Sequence, residues 1–124
     1  MSDIKYTESH EWLRLEADGS ATVGVTDYAQ NLLGDLVYVA LPREGDRFAQ
    51  GEEAATIESV KAAGEIKIPV DGTVVSVNDA LADEPSLVNE AAESAGWFFR
   101  MRIDNPEQLG GLMDAAGYHA YIGA

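Results

Sequence analysis

Cysteine is absent from the 124-residue chain, which excludes a disulfide framework, a thiolate metal site and a cysteine nucleophile. Any redox chemistry must therefore rest on a group added to the protein. Cations are scarce as well: eight Lys plus Arg stand against 22 Asp plus Glu, a formal charge of −14. Such a surface repels phosphate backbones and anionic lipid, so neither nucleic acid nor membrane is expected as a partner. A solvated surface accounts for the acidity, and steering of partners with basic docking faces is the sharper reading. No apolar run approaches membrane-spanning length, and the start MSDIKYTESHEW lacks a basic stretch followed by an apolar one. A cytoplasmic location is expected for a bacterial-type chain, or the mitochondrial matrix for a mature organellar form.

What is present fits one domain over 1–124, since the chain has 124 residues, 46% of them apolar, and four prolines; a monomer is expected. Asp18-Gly19 signals a hairpin turn, with Leu13 and Leu15 on one side and SATVGV, Ser20 to Val25, on the other. Thr26 suits the N-cap of a short helix to about Leu33, with Asp27 near its positive end and Gly34 placed to stop it. LVYVAL, Leu36 to Leu41, reads as a buried strand broken by Pro42. Short segments follow at 47–48, 54–58, 65–69 and 73–78, punctuated by Gly45, Gly51, Gly64 and Gly72, a spacing that suggests an all-β sandwich or barrel. Ile66, Ile68 and Val70 alternate with Glu65, Lys67 and Pro69 as a strand with one buried face should. WFFRMRI, Trp97 to Ile103, adds a strand with Arg100 and Arg102 on its outer face. Asn105-Pro106-Glu107 then starts a helix to about Met113, followed by a second near 115–121. The core is expected over about 6–104, with a helical appendage over about 105–124.

The pattern Gly34-x-x-Val37-x-Val39 has an echo in Gly72-x-x-Val75-x-Val77, and seventeen residues beyond each glycine stands Gly51 or Asn89, both tolerant of positive φ. The midpoint of that span falls at Lys61, in ESVKAAGEIKIP, between two strand-like segments. Lys61 could be an ordinary solvated hairpin lysine, a catalytic or Schiff-base amine, or a site of covalent attachment. A catalytic amine needs its pKa lowered, whereas Glu58 and Glu65 nearby favour the charged form. Attachment needs an accessible amine on a fixed turn among compact residues, and Val60, Ala62, Ala63 and Gly64 are compact. The other lysines are Lys5, near the terminus, and Lys67, within the next strand.

Other combinations carry little. Ser9-His10-Glu11 has the residue types of a hydrolase triad, but strand neighbours point to opposite faces. His10 and His119 stand at no ligand spacing, so no metal is expected. Trp12 and Trp97 read as core or staple residues.

Several segments together resemble the glycine cleavage H-protein family, from about Tyr6 to Tyr121: HEW at 10–12, VGVTDYAQ at 23–30, LGDLVYVALP at 33–42, ESVKAA at 58–63, PVDGTVVSVN at 69–78, LVNE at 87–90 and GW at 96–97. ESVKA differs from the Asp-Lys-Ala typical of lipoyl domains in 2-oxoacid dehydrogenases and from the Met-Lys-Met of biotin carriers.

The resemblance implies a mainly β, hybrid barrel-sandwich fold of two antiparallel sheets with short helices, including a C-terminal helical segment. It implies no catalytic residue and a lipoate amide-linked to Lys61, in a modification hairpin formed by Glu58, Ser59, Val60, Ala62 and Ala63. The implied partners are the pyridoxal-phosphate glycine decarboxylase (P protein), the tetrahydrofolate-dependent aminomethyltransferase (T protein), the flavin dihydrolipoamide dehydrogenase (L protein) and lipoate-attaching enzymes. The carrier would shuttle glycine's aminomethyl group from P to T, with L reoxidising the arm. A cleft for the loaded arm carries over by position to Ser9, Glu11, Leu32 and Glu65. A relay that hands lipoyl or octanoyl groups to other carriers, and an unmodified module that kept the fold, are the alternatives.

Overall fold

The computed structural model describes residues 4–123. The first three residues of the segment MSDIKYTESHEW and the last residue of the expected appendage lie outside them. Nine strands are described: β1 Ile4–Tyr6, β2 Glu11–Leu15, β3 Ser20–Val25, β4 Leu36–Ala40, β5 Arg47–Phe48, β6 Glu53–Ser59, β7 Ala63–Lys67, β8 Gly72–Val77 and β9 Phe99–Ile103. Four helices accompany them: α1 Asp27–Leu33, α2 Ala80–Asp83, α3 Leu87–Ala91 and α4 Ala115–Ile122, with a 3-10 turn at Pro106–Gly111. The strands make a six-stranded sheet, β1-β2-β3-β9-β8-β5, and a three-stranded sheet, β4-β6-β7, antiparallel throughout. One apolar core joins both sheets, with Leu13, Val23, Phe99 and Met101 from the larger and Val39, Ile57 and Ile66 from the smaller.

Local chemistry sets the elements. The Asp18-Gly19 turn closes β2 on β3, pairing Leu13 with Val23 and Leu15 with Ala21, and Gly19 takes φ +89°, which suits glycine. All of β3 is buried, beyond what alternation alone provides, because Trp12 lies across Gly24 on its outer side. The indole N–H of Trp12 donates to the Ala92 carbonyl at 2.9 Å and so fastens the α3 region to this sheet. Thr26 caps α1 as expected, its hydroxyl accepting from the Ala29 N–H at 3.2 Å, and Gly34 ends the helix at φ +79°.

Several expectations need correction. LVYVAL is not a buried strand: Val37 and Tyr38 are 56% and 51% exposed, because β4 is an edge strand with a register shift between Leu36 and Tyr38. WFFRMRI enters the sheet only at Phe99, although Arg100 and Arg102 do lie on its less buried face. Pro69 is buried. The helix expected from Pro106 is a 3-10 turn, Asn105 makes no side-chain cap, and the following helix is capped instead by Asp114, which accepts from the Gly117 N–H at 2.7 Å. The proposed echo holds in part. β4 and β8 lie in different sheets with Val37 and Val75 exposed on each, but Asn89 sits in α3 and does not share the positive φ of Gly51.

Gly72 reports how closely β8 and β9 approach. A Cβ there would lie 2.1 Å from Met101 Cε and 2.4 Å from the Arg102 carbonyl oxygen. The methionine end could move, whereas the carbonyl belongs to the paired strand. Gly72→Ala is therefore expected to lower stability by about 2–3 kcal/mol, measured as a lower urea midpoint at an unchanged slope.

Candidate functional site

Lys61 lies at the turn between β6 and β7, and the turn is closed by one hydroxyl. Ser59 Oγ accepts from the Lys61 N–H at 3.1 Å and the Ala62 N–H at 3.0 Å, and donates to the Ala62 carbonyl at 3.1 Å. The Ser59 N–H donates to the same carbonyl at 2.7 Å. A second tie comes from outside the hairpin, since the Val60 N–H donates to the Asp35 carbonyl at 3.0 Å. The side chain of Lys61 then runs over Gly34, where a Cβ would lie 3.1 Å from Lys61 Cε. Gly34 combines φ +79° with ψ −163°, a backbone region essentially restricted to glycine. Val60, Lys61, Ala62 and Ala63 are exposed, as are Glu58 and Glu65.

A cleft of about 170 Å³ opens beside this turn, lined by Ser9, His10, Val25, Ala29, Leu32, Leu33, Ile57, Gly64, Glu65 and Ile66. Its wall is mainly apolar, with Ser9, His10 and Glu65 as the polar exceptions. Three of the four residues assigned by position to an arm cleft, Ser9, Leu32 and Glu65, are thus brought together. Glu11 is not among the lining residues. It is 2% exposed and turns toward a larger groove between β2, Lys67 and the 111–113 segment. Its carboxylate accepts from the Thr7 hydroxyl at 2.6 Å and the Lys67 N–H at 3.4 Å. Lys67 itself projects outward from β7.

His10, weighed in the sequence only as a triad member and a metal ligand, lines the cleft. It holds φ 71°, the only positive φ outside glycine among the described residues, and it precedes β2, so the strand argument against a triad does not apply to it. Its Nδ1 lies 2.9 Å from the Tyr118 hydroxyl, which in turn lies 2.7 Å from Thr26 Oγ1. The ring is thereby held by α4 and by the cap of α1, with no bond to Ser9 or Glu11. Burial pushes its pKa below the ordinary histidine value. The run Ser9-His10-Glu11, read as three candidates, was the available signal. Trp12 is buried in a second cluster with Tyr6 and Tyr118, and Trp97 packs against it half-buried.

The family model described as glycine cleavage H-protein matches residues 4–124. The chain belongs to the glycine cleavage H-protein family. Named glycine cleavage system H proteins from Chromobacterium violaceum and Shewanella baltica are 52% and 51% identical over 99% and 98% of the chain, covering 96% and 94% of their own lengths. A crystal structure of a glycine cleavage system H protein from Mycobacterium marinum superposes with a TM-score of 0.90, at 33% identity and 98% coverage of each chain. The two-sheet fold expected from the resemblance is thus found both in the chain and in a solved family member. Members of this family are lipoyl carriers of glycine cleavage, and that is the function of this chain.

Glu11 makes stability depend on pH. Burial raises its pKa above the ordinary 4.5, an effect larger than the opposing hydrogen bond from Thr7. The folded state therefore binds the proton more tightly than the unfolded state, so this residue's contribution to stability falls as pH rises from 4.5 toward the raised value. In Glu11→Gln that decline should vanish from unfolding free energies followed between about pH 4 and pH 7. The amide the variant sets against the Lys67 N–H shifts all values equally, so the slope is the readout.

Proposed function

We propose that Lys61 is the residue that bears the lipoyl group, and that 1–124 acts as one carrier unit and not as an enzyme. The observation that supports this most is an exposed amine on a turn fixed from two sides, next to an apolar cleft. The cleft is smaller than the roughly 300 Å³ at which pockets for free ligands begin. It suits part of a tethered chain, for which linkage replaces intrinsic affinity.

Lipoate, when bound, supplies the disulfide that a chain without cysteine lacks, and with it an acceptor for glycine's aminomethyl unit. The chain's own residues do the rest. Ser59 presents the amine to an attaching enzyme in one backbone geometry. Acylation removes the ammonium charge, so the modified side chain can lie on Leu32, Leu33 and Ile57 without desolvating an ion. Ser9 and Glu65 at the polar rim offer a hydroxyl and a carboxylate to an amine, the carboxylate by a charge-assisted hydrogen bond. The partners in this reading are the decarboxylase, the aminomethyltransferase and the dihydrolipoamide dehydrogenase of the system, together with an attaching enzyme, in the cytoplasm of a bacterium.

Lys61→Arg keeps the charge and removes the acylatable amine. In a reconstituted glycine cleavage assay it is expected to abolish turnover with an unchanged unfolding midpoint, and turnover near that of the parent chain would reject the assignment. The cleft has its own test at Gly64. A Cβ there would lie 3.6 Å from Ile57 Cγ1 and 3.9 Å from Leu33 Cδ2, ordinary contact, so alanine is tolerated and leucine fills the space. Gly64→Leu should still be lipoylated yet lose the aminomethyl unit to hydrolysis at least about threefold faster than Gly64→Ala, read by ammonia release.

A further inference from the structure

Asn89 in α3 does not line the site described above, yet its amide spans the 34–36 segment to which the lysine turn is tied. Its Nδ2 donates to the Gly34 carbonyl at 2.8 Å and to Gln30 Oε1 at 3.0 Å, while its Oδ1 accepts from the Leu36 N–H at 2.9 Å. Exchanging the amide's oxygen and nitrogen would set a donor against the Leu36 N–H and an oxygen against the Gly34 carbonyl, so one orientation satisfies all three. The clamp therefore grips the chain on both sides of Asp35. Between the clamped residues, the Asp35 carbonyl receives the Val60 N–H at 3.0 Å, and Gly34 is the surface over which Lys61 runs.

We infer that Asn89 is a positioning residue for acylation of Lys61: it fixes the 34–36 segment, and through Asp35 and Gly34 it fixes the turn. The inference rests on the reading of Lys61 as the modified residue. In that acylation the ammonium first gives one proton to solvent; the Nζ–carbon bond then forms as the bond from the lipoyl acyl carbon to its activating group breaks, the activating group leaves with the electron pair, and Nζ releases its second proton to solvent. The chain contributes the direction of approach of Nζ, and displacements of about 1 Å from a productive geometry can lower such rates by up to about a hundredfold.

A structural role alone would be matched by Asn78, whose Nδ2 donates to the Ala95 and Trp97 carbonyls at 2.9 and 2.8 Å and makes no tie to the turn. The experiment compares Asn89→Ala with Asn78→Ala in two measurements: kcat/KM for lipoylation by a lipoate-attaching enzyme, and hydrogen exchange of the Val60 amide. Asn89→Ala is expected to lower kcat/KM about tenfold and to speed Val60 exchange about tenfold, while Asn78→Ala changes neither beyond its general loss of stability. Asn89→Asp retains the acceptor for the Leu36 N–H and removes both donors, and gives the same paired loss if Asn89→Ala is too unstable to assay. Unchanged values, a change in one measurement without the other, or an equal loss in Asn78→Ala each overturn the inference. Lipoylation persisting in Lys61→Arg would instead overturn the reading of Lys61, and Val60 exchange would still report on the clamp.

Discussion

The arrangement depends on how a three-residue turn is held open to solvent without being loose. The hydroxyl of Ser59 meets two N–H groups and one carbonyl of that turn. A turn with exposed backbone would ordinarily fray, and this one is also anchored outside itself, where Val60 meets Asp35. The anchor in turn needs α1 to end at Gly34 and β4 to begin at Leu36, so the cap at Thr26, the glycine-only geometry at Gly34 and the hydrogen bonds of Asn89 all bear on one exposed amine. The larger sheet and its aromatic cluster form the rigid body against which that small unit is set.

Electrostatics and burial divide the labour. The carboxylates near the turn are exposed, where they cost little and keep an acidic protein in solution. Among the described residues one carboxylate is buried, Glu11, and it is held by a hydroxyl and a backbone N–H instead of a cation. It lines the groove beside Lys67 and the 111–113 segment and not the apolar cleft, whose wall suits a neutral chain and would penalise a free ammonium. On the proposed reading of Lys61, the charge lost on acylation and the apolar lining serve one purpose.

Much of this was legible in the residues. Asp18-Gly19, the Thr26 cap and the placement of Lys61 between two strands follow from local rules that the fold obeys, whereas the alternation expected through Val70 stops at Ile68, because β7 ends at Lys67 and Pro69 is buried with its neighbours. The stretch from 79 to 96 was not legible, because α2 and α3 span four and five residues and are too short to display a helical period. LVYVAL misled because a run of apolar residues does not tell an edge strand from a central one. Asn89 was read by its tolerance of positive φ, whereas its role depends on partners 53 and 55 positions away, a relation no local pattern encodes. For Glu11 and Ser9, two positions apart, the residue identities were in view but not the faces toward which they turn.

The central claim is that turn geometry, not the mere presence of an amine, selects one of three lysines. Peptide-level mass spectrometry of chain recovered from cells supplied with lipoate tests it most directly. The account predicts a lipoyl group on Lys61, with Lys5 and Lys67 bare. A lipoyl group on Lys5 or Lys67, or a chain left unmodified beside a second carrier that is fully lipoylated, would contradict it.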